Sequence, residues 1–492
     1  MILADLLPGA LLDARHRGVA VAGITTDSRA VQPGFVFFAV PGTQADGLAF
    51  VPQAVSAGAA AVVAERMPGG LGDAVAIAVP NIRRTLSAAA ARFYPGQPET
   101  VVAITGTSGK TSVAAFVRQI WESTGARAAS LGTIGIVAPQ GALPDGPHGA
   151  LTTPDPIALH RDLHALARAG VTHLALEASS HGLDQHRLDT VRLAAGAFTN
   201  LSRDHLDYHP TTEHYLAAKL RLFTDLLAPG QPAVVAVDRD HGDGADPASD
   251  RAVAAARGRG LRVRTVGRRG DDIRLLSSEP DGFATRLTLG HDGRTFDLRL
   301  PLAGGFQVSN ALVAAGLCIA AGTPADAVFA ALERLAGAPG RLEHVGTCRG
   351  APVFVDYAHK PDALDNVLAT LRPYATGRLV VVFGCGGDRD PGKRPIMGEI
   401  AARLADVAIV TDDNPRSEDP AAIRAAILAA SPGAREIGDR AGAIAAAVGM
   451  LERGDVLVVA GKGHETGQTA RGVTSPFSDA EAVAAAIRSV PA

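Results

Sequence analysis

The segment Thr105-Gly106-Thr107-Ser108-Gly109-Lys110-Thr111-Ser112 carries the residue types that a phosphate chain needs. Gly106, Thr107, Ser108 and Gly109 can bring backbone N–H groups close to phosphate oxygens, and a helix starting there adds its positive end. Lys110 is placed to reach the β and γ phosphates, and the Thr111 hydroxyl to ligate magnesium. The implied ligand is ATP. Ile104 stands where the general phosphate-loop pattern has its first glycine, so a plain glycine turn between strand and helix remains the alternative reading of this loop taken alone.

Further along, Glu177 ends an apolar run, and His205 lies in Thr199-Asn200-Leu201-Ser202-Arg203-Asp204-His205-Leu206-Asp207. An acid and an imidazole at neighbouring strand ends can hold a second hard cation. An isolated histidine is more often a hydrogen-bonded structural residue. Lys219, inside the helical stretch 214–223, is by default a solvated helix residue. Arg389, Arg416 and Glu465 are ordinary surface charges unless loops gather them, in which case acid and base on one pocket suit a zwitterionic substrate.

These residues need elements to position them. The apolar run 101–104 reads as a strand entering the glycine loop, and Val113, Phe116, Val117, Ile120 and Trp121 recur at helical spacing after it. Buried strands are expected at 172–176, 195–199 and 233–237, giving a mostly parallel sheet with helices on both faces. Before it, the runs 35–40 and 59–64 alternate with Ala-rich helical stretches, as in a small α/β unit. After it, the runs 353–355, 379–383, 407–410 and 456–459 predict a second doubly wound sheet. Polar motifs follow those strands directly: Asp356-Tyr357-Ala358-His359, Gly384-Cys385-Gly386-Gly387-Asp388-Arg389, Asp412-Asp413-Asn414-Pro415-Arg416 and Gly461-Lys462-Gly463-His464-Glu465. Ligands of open α/β sheets bind at that edge. A length of 492 residues suggests two to four domains, and turn-rich joints at 94–98 and 337–340 divide the chain into three, 1–97, 98–336 and 337–492.

Composition narrows the function further. With 47% hydrophobic and 20% charged residues and a net charge of -3, the chain is a folded soluble protein without a basic field for nucleic acid or anionic lipid. No run is apolar for long enough to insert in a membrane and no basic-then-apolar leader opens the chain, so a cytoplasmic location is expected. Cys318, Cys348 and Cys385 are far apart and lack paired metal-ligand spacing, which fits a reducing compartment. Cys385, in a glycine-rich loop, could line a site, although an inert small residue is the simpler reading.

Taken together, the motifs resemble those of the Mur ligase family over essentially the full length. The carriers are Thr25-Thr26-Asp27-Ser28-Arg29 and Gln44-Ala45-Asp46-Gly47, the loop 105–111, Leu151-Thr152-Thr153-Pro154, Glu177-Ala178-Ser179-Ser180-His181-Gly182-Leu183, Gln185-His186-Arg187, the stretch 200–209, and the four strand-end motifs of the last segment. The family's own phosphate loop accounts for Ile104. The resemblance implies a three-domain α/β protein: a small N-terminal α/β domain, a central P-loop ATPase with a mostly parallel sheet, and a C-terminal Rossmann-like domain.

It also implies roles. Lys110, Glu177, His205 and Lys219 would be catalytic, with Thr111, Glu177 and His205 organising Mg2+ and Lys219 converted by carbon dioxide into a carbamate ligand. That modification needs an unprotonated amine, so burial or a neighbouring charge should lower the Lys219 pKa. Thr26, Ser28, Thr43, Gln44, Ala45, Thr152, Thr153, Ser179, Gln185 and Arg187 would hold a UDP-N-acetylmuramoyl-dipeptide, Thr43 standing where many relatives have histidine. Asn310, Arg341, Asp356 and His359 would complete the ATP site begun by the loop.

Asp413-Asn414-Pro415-Arg416 is the form associated with meso-diaminopimelate, whose extra carboxylate suits the two-pronged donor of Arg416. Arg389, Gly461 and Glu465 would finish that pocket, Glu465 answering the far ammonium group. The implied reaction is ATP-dependent amide formation through an acyl phosphate, by a monomer with small-molecule substrates. Folylpolyglutamate synthetase, another Mur ligase and a non-catalytic nucleotide-binding protein of this fold are the rivals. The first segment and Arg416 argue against the first two, and the presence of Lys110, Glu177, His205 and Lys219 against the third.

Overall fold

A computed structural model describes residues 1–42, 45–67, 69–142, 151–202, 204–205, 208–237 and 247–490. The chain forms two compact units: 1–276, 289–295 and 309–331 make the first, and 277–288, 296–308 and 332–492 the second.

The first unit opens with a four-stranded parallel sheet, β1 (Gly23–Thr25), β2 (Phe35–Phe38), β3 (Ala61–Ala64) and β4 (Val75–Ala78), in that order. Leu3, Val36, Phe38, Val63, Ile77 and Leu86 form the core on one face. The helix Ile82–Phe93 joins this sheet to the next part of the unit: Ser87 and Thr190 hydroxyls lie 2.9 Å apart, and His160 Nε2 meets the same Thr190 at 3.0 Å.

The larger sheet contains β5 (Thr100–Thr105), β6 (Ala128–Gly132), β7 (Gly135–Val137), β8 (His173–Glu177), β9 (Ala195–Phe198), β10 (Pro232–Ala236), β11 (Arg262–Gly267) and β12 (Ile273–Asp281). Their order is β12-β11-β10-β9-β5-β8-β6-β7, all parallel except β7 against β6. The continuous apolar runs read from sequence are therefore interior strands covered on both faces. The helix Lys110–Ser123 buries Val113, Phe116, Val117, Ile120 and Trp121, the residues whose spacing forecast it. Because β5 lies between β8 and β9, the loop after β5 sits beside Glu177 at the end of β8 and Thr199 just past β9. That is how parallel order converts distant sequence motifs into one site.

β13 (Ala284–His291) and β14 (Arg294–Leu300) follow in the chain. The second unit holds β15 (Glu343–Cys348), β16 (Ala351–Asp356), β17 (Leu379–Phe383), β18 (Val407–Val410), β19 (Arg435–Glu436) and β20 (Val456–Ala460), ordered β15-β16-β20-β17-β18-β19. Within this sheet only β15 is antiparallel to its neighbour. Val381, Phe383, Val410, Val456 and Val458 pack on one face, and Val380, Val382, Ile409, Leu457 and Val459 on the other. This is the two-residue alternation of a doubly covered sheet.

Candidate active site

Between β5 and its helix, Gly106 and Gly109 adopt φ of 144° and 87°. Neither can gain a side chain: a Cβ on Gly106 would lie 2.0 Å from Thr199 Oγ1, and one on Gly109 would lie 2.2 Å from Asn310 Oδ1. The loop is tied to the segment after β9 as well. Thr199 Oγ1 donates to Ser108 O at 2.7 Å, Ser108 N donates to Asn200 Oδ1 at 3.0 Å, and Ser202 N donates to Thr107 Oγ1 at 3.0 Å. Thr111 and Ser112 are buried in the first helical turn.

Two lysines converge behind this loop. Lys110 Nζ donates to Gly106 O and Thr107 O, both at 2.9 Å, and Lys219 Nζ donates to the same Gly106 O at 2.8 Å. Lys219 is 1% exposed, and its Nζ lies 4.3 Å from the ring centroid of Tyr215, whose hydroxyl is 3.1 Å from Thr107 Oγ1. Burial, and then the Lys110 ammonium, push the Lys219 amine well below the ordinary lysine value, with Asp204 acting the other way. Lys219 is therefore no solvated helix residue. It is a buried amine with a weakened hold on its proton, as carbamate formation requires.

Glu177 is 1% exposed and accepts from Thr133 N at 2.9 Å and from Thr133 Oγ1 at 3.1 Å. Around it the sequence-predicted residues 152–187 form one network. Thr133 and Thr152 hydroxyls are 2.9 Å apart, and Thr153 Oγ1 donates to Glu177 O and accepts from Ser179 N. Arg187 donates to Thr153 O at 2.6 Å and to Gln185 Oε1 at 2.7 Å, and burial lowers its pKa. His205 has φ of 52° and Nε2 3.4 Å from Asp204 Oδ2. Its ring is 5.0 Å from His181 and 6.0 Å from Tyr215, which links it to the phosphate loop.

Magnesium suits the donor types offered by Thr111, Glu177 and His205, two oxygen groups and an imidazole. Among the described residues no group of three or more His, Cys, Asp or Glu side chains is arranged to hold a metal by itself.

In the four-stranded sheet region, Thr26 is exposed and Ser28 is buried, donating to Gln53 Oε1 at 2.8 Å. Ala45 O accepts from Gly42 N at 2.9 Å. Thr43 and Gln44 lie outside the described residues, as do Arg203, Leu206 and Asp207.

The second unit gathers the strand-end motifs. Asp356, ending β16, accepts from Leu342 N at 2.6 Å, and burial raises its carboxyl to about 6 against the pull of Arg341. The Arg341 guanidinium stacks 4.5 Å from the Tyr357 ring centroid, and Tyr357 in turn lies 4.4 Å from His359. His359 Nδ1 lies 2.7 Å from Tyr357 O, and burial lowers its pKa to about 4, so the ring is neutral at pH 7.

Asn414 Nδ2 donates to Glu465 Oε2 at 2.8 Å. Asp413 is buried, its carboxyl raised by that burial, and its Oδ2 has no hydrogen-bond partner among the described residues. A Cβ on Gly461 (φ 119°) would lie 2.5 Å from that oxygen. Arg416, with φ of 53°, is held by Thr469 O and donates from Nη1 to Gly387 O at 2.7 Å. The carbonyl of Pro415 would lie 2.0 Å from a Cβ on Gly387, so the two glycine-rich and acidic loops meet without side chains between them. Arg389 is exposed and donates from Nη1 to Asp388 O at 3.3 Å. Cys385 is buried against Met397 Sδ at 3.7 Å with its thiol pushed up to about 11, so it is inert.

Sequence reasoning passed over Thr133, Tyr215, Tyr357 and Lys462. Tyr215 lies one helical turn before Lys219, and Tyr357 and Lys462 lie inside motifs already singled out, so spacing alone could have raised all three. Thr133 has no such signal; only the neighbouring of β6 and β8 brings it to Glu177.

The chain is similar to known proteins over its whole length. The profile of the Mur ligase middle domain matches residues 104–318, that of the Mur ligase glutamate ligase domain 340–463, and that of the Mur ligase family catalytic domain 20–94. The UDP-N-acetylmuramoyl-L-alanyl-D-glutamate--2,6-diaminopimelate ligase of Bradyrhizobium diazoefficiens is 60% identical, the match covering 99% of each chain. The ligase of the same name from Mesorhizobium japonicum is 60% identical over 99% of this chain and 98% of its own. A solved structure of a ligase of that name superposes with a TM-score of 0.72 at 34% identity, covering 99% of each chain. With three domain profiles in order along it and full-length relatives at this identity, the chain belongs to the Mur ligase family.

Proposed function

We propose that this protein is an ATP-dependent ligase that joins meso-2,6-diaminopimelate to UDP-N-acetylmuramoyl-L-alanyl-D-glutamate, releasing ADP and phosphate, in the assembly of peptidoglycan. The observation that carries the reading is the phosphate loop with Lys110 and Lys219 on one carbonyl, in a chain alike over 99% of its length to ligases of that name. Among the described residues no helix is long and apolar enough to cross a membrane. We read the enzyme as a cytoplasmic monomer with domains 1–97, 98–336 and 337–492.

In this reading the D-glutamyl carboxylate attacks the γ-phosphorus of ATP, and the bond to the β-phosphate oxygen breaks to leave ADP and an acyl phosphate. The loop amides and Lys110, once withdrawn from Gly106 O, offset the charge of that transfer. Magnesium held by Thr111, Glu177, His205 and a carbamate on Lys219 would neutralise phosphate charge. The dipeptide nucleotide engages Thr26, Ser28, Thr43, Gln44 and Ala45 together with the network from Thr152 to Arg187, while Asn310, Arg341, Asp356 and His359 hold the nucleotide. Glu465, Asn414, Asp413, Gly461, Arg389 and Arg416 receive diaminopimelate. Its amine attacks the acyl carbon, loses a proton and expels phosphate.

The test is to incubate the purified protein with ATP, Mg2+, the nucleotide-dipeptide and, separately, diaminopimelate, lysine or ornithine. ADP and tripeptide product should form with diaminopimelate alone, and Arg416→Ala should erase the preference. Equal use of lysine would refute the amino-acid assignment, and absence of both ADP and product would refute the reading as a whole.

A further inference from the structure

We propose that Lys462 is a positioning residue of the amino-acid pocket, fixing which way the Asn414 amide faces and presenting Glu465 to the ammonium group of the incoming amino acid. The inference rests on the reading of this pocket as the diaminopimelate site. Lys462 is 0% exposed, on the loop that leaves β20. Its Nζ donates to Asn414 Oδ1 at 3.1 Å and to Glu465 Oε2 at 2.9 Å. Thr469 N donates to the same Asn414 oxygen at 2.9 Å, and Asn414 Nδ2 closes the triangle on Glu465 Oε2 at 2.8 Å.

An amide's two ends differ only in what they can donate or accept. Two donors, Lys462 and Thr469 N, converge on Oδ1, so the flipped amide would set its NH2 group against both. Lys462 thereby compels Nδ2 to face Glu465 and the pocket. Both contacts to the carboxylate fall on Oε2, so Oε1 is the oxygen left for a substrate cation. A buried lysine thus sets the orientation of the donor and the acceptor beside it.

The charge balance points the same way. Burial alone would raise the Glu465 carboxyl, but Lys462 and Asn414 outweigh it and keep it below the ordinary glutamate value. The other groups facing Glu465 are His464 and Arg440, which are cationic or can be, and Asp413 and Tyr357, which oppose its ionisation. Without Lys462 the largest of the causes that lower the carboxyl is gone, so it takes up a proton at higher pH.

Steady-state kinetics of the intact enzyme test this. Lys462→Met should raise the KM for diaminopimelate by about tenfold to a hundredfold, the scale of a lost charged hydrogen bond. The kcat and the KM for ATP should stay within about twofold of the unaltered enzyme. The variant's KM should climb as pH falls, where that of the unaltered enzyme stays flat. In Lys462→Ala, ethylammonium should lower the KM for diaminopimelate and ethanol should not. An unmoved KM, an equal rise for ATP, equal rescue by ethanol, or failure of both variants to fold would each overturn the proposal. An unaltered enzyme that does not use diaminopimelate overturns the pocket reading and this inference with it, whereas an unmoved KM in an active enzyme overturns the inference alone.

Discussion

Asp479→Asn should loosen the carboxyl edge of the second sheet. Asp479 and Arg440 form a bidentate pair, Nε to Oδ1 and Nη2 to Oδ2 both at 2.7 Å, with both side chains 0% exposed. Arg440 also donates to Ala460 O at 3.0 Å and to Asp412 O at 3.4 Å, the ends of the segments that lead into Glu465 and Asn414. Removing one partner of a buried pair costs about 3–5 kcal/mol, because the remaining charge stays desolvated. Asn keeps one acceptor oxygen, so the lower end, about 3 kcal/mol, is expected, which is roughly two decades in a local opening constant. The single tryptophan, Trp121, belongs to the first unit and does not report on the pair. Hydrogen exchange read by mass spectrometry does. Peptides covering β18 and β20 should lose about a hundredfold protection while those covering β5 and the helix Lys110–Ser123 keep theirs. Replacing both partners by apolar residues should recover much of the loss. Less than a tenfold change at β20 in Asp479→Asn would refute the reasoning.

Other consequences follow from single side chains. In 13C-labelled bicarbonate, a carbamate carbon signal should form at neutral pH, where surface lysines are protonated, and vanish in Lys219→Met together with ligase activity; its persistence in that variant would place the carbamate elsewhere. Gly109→Ala, which sets a Cβ against Asn310 Oδ1 and strains a φ of 87°, should weaken ATP binding by about tenfold or more in calorimetry. Asp356 has its folded pKa raised from 3.8 to about 6, so the folded state holds its proton longer than the unfolded chain. The resulting destabilisation is absent below the unfolded value and full above about 6, on the order of 3 kcal/mol. Asp356→Asn should remove that slope from urea midpoints measured between pH 4 and pH 7, and an unchanged slope would show that another group carries it.

The sheets were legible because their signal is local. Runs such as 101–104, 379–383 and 456–459 are short, apolar throughout and rich in β-branched residues, which is the pattern of a strand covered on both faces. The four polar motifs after the strands were legible for the same reason, since parallel order puts every such loop at one edge. What composition and spacing could not reach was burial of charge. Lys219 looks like any lysine on a helix, yet it lies under Tyr215 and behind Gly106. Arg440 and Asp479 are far apart in sequence, each at the first turn of its own helix, and neither position carries a local pattern that announces a pair. Thr133 and Glu177 meet only because β6 and β8 are neighbours.

The two buried lysines show how the same residue type meets opposite environments. Lys219 finds a backbone carbonyl and an aromatic face, with a second ammonium, Lys110, competing for the same oxygen. Burial and the Lys110 ammonium outweigh the opposing pull of Asp204, so the amine's hold on its proton is weakened. Lys462 instead meets a carboxylate at 2.9 Å and an amide oxygen at 3.1 Å, a set that rewards donation. An acidic residue at Tyr215 would pair with Lys219, keep it protonated and block carbamate formation, even though the lysine itself remained in place.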